Sequence, residues 1–250
     1  MTRVITIVNQ KGGVGKTTTA VNLAACLGAL EKRVLLVDMD PQGNATSMSS
    51  IAAKEYRTVY DMMGDETLSA VYDTELPYLK VIPGGRDLTG AEIELLGLQD
   101  REMVLRSLLK RIPRRFDFVI VDSPPALNIL TVNNLAAADG LIIPIQCEYF
   151  ALEGLSRLLE TVERMRAVNP KLAIDGILLT MYDRRVKLTF DVEAEVRRHF
   201  GKTVFGTVIA RNVKLSESPS FGKPIILYDI ASVGAKQYLA LAEEYLERLG

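Results

Sequence analysis

Short, unbroken apolar runs alternate along the chain with segments whose apolar residues recur every three or four positions. The runs at 4–8, 34–37, 78–82, 116–121, 140–146, 173–180 and 203–209 predict strands. Continuous hydrophobicity, without in-and-out alternation, is what strands buried on both faces require. Helical spacing predicts helices over about 16–27, 58–64, 65–72, 87–96, 100–111, 129–137, 148–168, 188–200 and 232–249. The basic cluster at 111–115, Arg-Ile-Pro-Arg-Arg, is expected to end the fifth of these. Strand–helix alternation of this kind predicts an α/β fold, a mostly parallel twisted sheet with helices on both faces. No linker, repeat or low-complexity segment interrupts the series, so one domain over residues 1–250 is expected.

With 48% hydrophobic residues over 250 positions, the chain is long and apolar enough to bury a sizeable core. The 30 basic and 31 acidic residues leave a formal charge of −1, so any affinity for nucleic acid must come from a local patch. Cys26 and Cys147 lie far apart inside apolar runs and read as small buried hydrophobes in a reducing compartment. A start that runs straight into a strand predicts no leader, and no apolar run approaches the roughly 20 residues of a membrane span. The expectation is a soluble, cytoplasmic protein.

Candidate chemistry begins between the first strand and the first helix. Residues 10–18 read Gln-Lys-Gly-Gly-Val-Gly-Lys-Thr-Thr, and strand, glycine-rich turn, helix is the context a phosphate-binding loop needs. Gly12, Gly13 and Gly15 allow backbone conformations closed to other residues, and the amides from Gly13 and Val14 through Thr18 are expected to face a polyphosphate. Lys16 supplies charge to the terminal phosphates, and the Thr17 hydroxyl is placed for Mg²⁺. The usual G-x-x-x-x-G-K-[ST] pattern wants glycine where this chain has Gln10, and a second lysine, Lys11, precedes the glycines. A glycine-rich turn without a ligand is the bland alternative.

Two further strands end in carboxylates. Asp38 and Asp40 follow the run at 34–37 and, two apart, share a face at the carboxyl end of their strand. Asp122 ends the run at 116–121 and is followed by Ser123-Pro124-Pro125, a Walker B arrangement. Like charges gathered there need a compensating cation, which Mg²⁺ with ATP provides.

Taken together, K-G-G-x-G-K-[ST], Asp-x-Asp-Pro-Gln-Gly-Asn at 38–44 and Asp-x-Pro-Pro at 122–125 resemble the ParA/Soj chromosome-partition ATPases of the deviant Walker A superfamily. The runs at 146–154, 178–183 and 211–224 look similar as well, so the likeness spans the chain. It implies a single-domain P-loop NTPase fold, ATP and Mg²⁺ as cofactors, and weak intrinsic ATPase activity. It also implies that Lys11 reaches a partner's nucleotide in an ATP-bound homodimer, that Asp40 positions the attacking water, and that Asp38 and Asp122 support the metal with Thr17. Met181, Arg211 and Asn212 fall where the family contacts adenine, although Ala210 stands where relatives usually carry proline. Glu148 is expected to be an exposed loop carboxylate, the alternative being that it meets Lys11 in one nucleotide state.

The segment 184–223 holds nine Lys or Arg against four acids. Alone, such a run is usually a solvated face. The resemblance implies instead that Arg185 and Lys214, with Lys187 and Lys223 nearby, bind double-stranded DNA without regard to sequence, in a nucleoid-associated protein. A centromere-binding protein of the ParB type is the implied partner that stimulates hydrolysis. The alternative is a MinD-like membrane-associated or protein-cargo positioning ATPase, but the chain ends acidic, from Glu243 to Glu247, where a membrane-bound switch needs a basic amphipathic helix. A reductase resembling nitrogenase iron protein would need cysteines near residue 123, and there are none. A metabolic ATP-dependent ligase or kinase on the same fold is the third rival.

Overall fold

A computed structural model describes residues 2–112, 116–148 and 151–250. Its seven strands are β1 (Arg3–Ile7), β2 (Val34–Asp38), β3 (Tyr72–Asp73), β4 (Leu79–Ile82), β5 (Phe118–Asp122), β6 (Gly140–Gln146) and β7 (Ala173–Thr180). They form one sheet in the order β3-β4-β2-β5-β1-β6-β7. Every pairing is parallel except that of the short edge strand β3 with β4. Eleven α-helices accompany them among the described residues: α1 (Lys16–Ala29), α2 (Asn44–Ser47), α3 (Val59–Gly64), α4 (Leu88–Glu94), α5 (Val104–Arg111), α6 (Ile129–Ala137), α7 (Ala151–Met165), α8 (Lys187–Phe200), α9 (Val213–Glu217), α10 (Ile225–Tyr228) and α11 (Val233–Leu249).

The α/β architecture expected from the periodicity is the one observed. β2 and β5 are buried at every position, as runs without alternation require. α1 packs on the sheet and against α11, with Ala20, Leu23, Ala24 and Leu27 facing Tyr238, Leu241 and Tyr245 in one core cluster. A second cluster joins α6 and α7 to β6 and β7, and a third joins α3, α4 and α5 to β2, β4 and β5. The expected helix at 58–64 forms as α3, closed by a capping box in which Thr58 and Asp61 exchange hydrogen bonds.

Two expected elements do not form. At 65–72 the Asp65 carboxylate accepts from the Thr67 amide (2.8 Å) and hydroxyl (2.7 Å), which makes a turn where the first helical turn would begin. Tyr72 and Asp73 then become β3. At 203–209, Val204 bridges Ile177 and the Ile209 amide reaches the Leu179 carbonyl, so the run lies along β7. Between those points Glu244 takes the amides of Gly206 (2.7 Å) and Thr207 (2.8 Å), and the ladder breaks. Residues 113–115 of the basic cluster and 149–150 of the expected 148–168 helix lie outside the described residues.

Candidate nucleotide site and basic surface

β1 and β5 lie side by side at the middle of the sheet, and the loops after β1, β2 and β5 converge at the carboxyl ends of these strands. In an open parallel sheet this is where ligands bind. The glycine-rich loop leaves β1 there. Gly13 and Gly15 take left-handed conformations with φ of 76° and 87°, and Gly15 caps α1. The loop is held from behind: the Thr180 hydroxyl donates to the Val14 carbonyl (2.9 Å), and the Asn9 amide donates to the Pro144 carbonyl (2.7 Å). In front it is open, because a Cβ on Gly12 or Gly13 would meet no atom within 4 Å. Neither glycine is required by packing within the chain, so the space they leave suits something that approaches from outside.

Lys16 is buried, and its ammonium donates to the Lys11 carbonyl at 3.0 Å. Burial lowers its pKa, and the charges of Asp122 and Asp40 oppose that shift. Thr17 and Thr18, half-buried, complete the first turn of α1 beside it. Lys11 forms an ion pair with Glu148 at 2.5 Å, both side chains about half exposed. Glu148 is therefore not the free loop carboxylate favoured from the sequence but takes the alternative, the contact with Lys11. It meets Lys11 because β6 ends next to β1.

The carboxylates divide into two kinds. Asp38 and Asp122 are register partners on adjacent strands, both fully buried. Asp38 is tied down: Oδ2 accepts from the Thr46 amide and hydroxyl, each at 2.7 Å, and Oδ1 accepts from the Asp40 amide at 3.1 Å. Burial still pushes its pKa up to about 6. Asp122 has no hydrogen bond of good geometry to either oxygen. Burial and then the neighbouring Asp38 charge drive its pKa well up, against the opposing influence of the Thr17 hydroxyl and the Lys16 ammonium. Asp40 accepts from the Gln42 amide (3.0 Å) through Oδ1, and Oδ2 has no partner among the described residues.

Sequence reasoning missed Thr46 and Gly84. The Gly84 amide donates to the Thr46 hydroxyl (2.8 Å), and a Cβ at Gly84 would lie 2.5 Å from the Asp38 carbonyl oxygen and 2.9 Å from its carboxyl carbon. Gly84→Ala is thus expected to displace Asp38 and destabilise the fold by about 2 kcal/mol or more. Thermal melting checks this, and a variant as stable as wild type would remove the close approach from the account. The Pro-Gly-Gly after β4 is the signal in the sequence that could have pointed to it.

No group of three or more His, Cys, Asp or Glu among the described residues could by itself hold a metal. One orphaned carboxylate, one hydroxyl and open space suit a cation that takes its other ligands from phosphate and water, as Mg²⁺ does.

The remaining predicted residues gather after β7. Tyr182 pairs with Ala210, which brings Met181 (φ 49°) alongside Arg211 and Asn212. Asn212 caps α9, accepting from the Lys214 (2.8 Å) and Leu215 amides. A cavity of about 590 Å³ adjoins this pairing, its walls including Tyr182, Asp183, Arg184, Arg185, Ala210 and Arg211. Arg185 makes two bonds to Asp183 (2.9 and 2.7 Å), which hold that carboxyl far below its usual range. Lys214 pairs with Glu217 (2.9 Å) and Lys223 with Glu75 (3.0 Å), while Lys187 is exposed with no partner among the described residues. Such surface pairs are worth roughly 0–1 kcal/mol, so an incoming phosphate can displace the carboxylates.

Comparison with known proteins agrees with this arrangement. A family model described as an AAA domain matches residues 2–174. The chain is 52% identical over 250 residues to the chromosome partitioning protein ParA of Myxococcus xanthus, covering 98% of this chain and 88% of that one. It is 51% identical over 248 residues to the sporulation initiation inhibitor protein Soj of Bacillus subtilis, covering 98% of each. Among solved structures, cobyrinic acid a,c-diamide synthase from Mycobacterium smegmatis with bound ADP and magnesium superposes with a TM-score of 0.84 at 35% identity, covering 100% and 96% of the two chains. Two lysines about a triple-glycine loop, three aspartates at the ends of neighbouring strands and half-identity over the whole length have one reading: the chain belongs to the ParA/Soj family of chromosome-partitioning ATPases.

Proposed function

We propose that the chain is one ATPase domain, residues 1–250, acting as an ATP-driven switch in DNA segregation. The observation that carries the reading is the buried Lys16 beside the unsatisfied Asp122, at the mouth of a loop whose glycines leave open space. ATP occupies that space, with the amides of Gly13 to Thr18 and the Lys16 ammonium on its phosphates. Thr17 and Asp122, with Asp38 in support, would hold Mg²⁺, which would neutralise charge on the phosphates, and Asp38 also orients the loop that carries Asp40. Asp40 orients the water that attacks. Lys11 leaves Glu148 and reaches the nucleotide of a second copy, and Gly12 permits that copy to approach. Met181, Arg211 and Asn212 flank the adenine.

In the ATP-bound homodimer, Arg185, Lys187, Lys214 and Lys223 contact DNA phosphates without reading bases. A partner of the ParB type stimulates hydrolysis and releases the protein. The reading has the protein cytoplasmic and nucleoid-associated. A MinD-like attachment to lipid is disfavoured by α11, whose Tyr238, Leu241 and Tyr245 are buried against α1 and unavailable to a membrane. No helix among the described residues is long and apolar enough to cross one.

The test is DNA retention by Asp40→Ala protein with ATP, with ADP and without nucleotide, over a salt series. Binding is expected with ATP alone, for any sequence, and to fall steeply with salt. Arg185→Glu with Lys187→Glu should weaken it about tenfold and flatten the salt slope. Equal retention in all three nucleotide states, or none at low salt, rules the DNA switch out.

A further inference from the structure

Three of the most exposed apolar side chains fall within six residues: Ile93 (75%), Leu96 (57%) and Leu98 (53%), on α4 and the turn after it. Leu127, 41% exposed, precedes Asn128, whose side-chain amide donates to Glu92 of α4 at 2.6 Å. Exposed apolar residues gathered in this way mark a surface that something covers. Residues 86–102 also carry five acids, Asp87, Glu92, Glu94, Asp100 and Glu102, against Arg86 and Arg101. None of the five is in an ion pair among the described residues. Arg101 donates to the Leu96 carbonyl (3.2 Å) and leaves the rim acidic.

We propose that this acid-rimmed stripe is the docking surface for a basic, apolar segment of the stimulating partner, an inference that rests on the partition reading above. A second copy is the poorer occupant. Two-fold self-contact of the stripe would set its own unpaired acids against each other, whereas a basic segment satisfies them.

The stripe is joined to the nucleotide site at both ends. Ahead of α4, the Gly84 amide bonds Thr46, which holds Asp38. Behind it, Glu92 holds Asn128, which caps α6 six residues beyond Asp122. A segment seated on α4 therefore bears on the loops carrying Asp40 and Asp122 without entering the site.

The experiment measures ATP turnover of the full chain against concentration of the ParB-type protein from the same organism, with DNA present. One variant combines Ile93→Ser, Leu96→Ser and Leu98→Ser. The other combines Glu94→Gln, Asp100→Asn and Glu102→Gln, which keeps side-chain shape and the left-handed Asp100 backbone. In both, the half-maximal partner concentration should rise about tenfold or more, while unstimulated turnover and ATP-dependent DNA retention stay at wild-type level. The wild-type half-maximal concentration should also rise with salt, and that dependence should flatten in the neutralised variant. Wild-type stimulation of either variant overturns the docking surface and leaves the partition reading intact. Loss of ATP-dependent dimers from the serine variant, read by sedimentation, assigns the stripe to a second copy and overturns the partner. A wild-type protein that does not respond to the partner at all overturns the partition reading, and this inference with it.

Discussion

Replacing Asp40 with alanine is expected to cut ATP turnover by about a hundredfold or more while ATP-dependent self-association survives. The structural reason is a division of labour among three neighbouring carboxylates. Asp38 spends its oxygens on Thr46 and the Asp40 amide, and Asp122 lies deep between strands. Asp40 is on the loop beyond β2 with one oxygen engaged by Gln42 and the other free to take a water. Its charge also supports the Lys16 ammonium, so some loss of ATP affinity is expected, smaller than the loss of turnover. Asp40→Asn separates the two roles: the amide oxygen still accepts from Gln42, but the charge that orients a nucleophile is gone. Single-turnover hydrolysis and ATP binding, measured on both variants, decide the matter. If the asparagine protein turns over at the wild-type rate, Asp40 only shapes the Gln42 turn.

The parts of this protein that were legible from sequence are those in which cause and consequence lie close together along the chain. The glycines at 12, 13 and 15 announce a backbone that must open a helix at an exposed loop, and Gly13 and Gly15 do adopt positive φ. The unbroken runs ending at Asp38 and Asp122 announce central parallel strands, because no other setting buries both faces. What escaped is set by partners remote in sequence. The contact of Glu148 with Lys11, only the less favoured reading of the sequence, spans 137 positions and depends on the pairing of β6 with β1. Glu244 removes two amides from a run that otherwise reads as an eighth sheet strand. Thr46 and Gly84 meet only because β2 and β4 are neighbours, so that the Gly84 amide reaches the hydroxyl that Thr46 donates to Asp38. The ion pair of Lys223 with Glu75, 148 positions away, has the same character, whereas Arg185 and Lys214 are held by acids two and three residues away.

Asp122→Asn is expected to stabilise the nucleotide-free protein by about 2 kcal/mol, a rise of roughly 4–8 °C in Tm, and to abolish most of the further gain that ATP with Mg²⁺ confers. A fully buried carboxylate without a good hydrogen bond, set beside a second buried carboxylate on the next strand, costs free energy that a neutral amide of the same shape does not. An amide there also gives Asp38 and Asp40 a donor in place of a like charge. On the proposed reading the wild-type chain retains the cost because a cation offsets it: a ligand that binds only the folded state stabilises in proportion to the logarithm of its concentration over Kd. Melting both proteins alone, with ATP and EDTA, and with ATP and Mg²⁺ gives the comparison. Wild type should gain strongly only in the last condition, and Asp122→Asn should start higher and gain little. An asparagine variant that starts below wild type would mean that Asp122 is already satisfied within the chain. One that gains as much from Mg²⁺ would mean that the cation is held elsewhere, with Thr17 and the phosphates sufficient without it. The first result would remove the stored repulsion from the site, and the second would remove Asp122 from the metal.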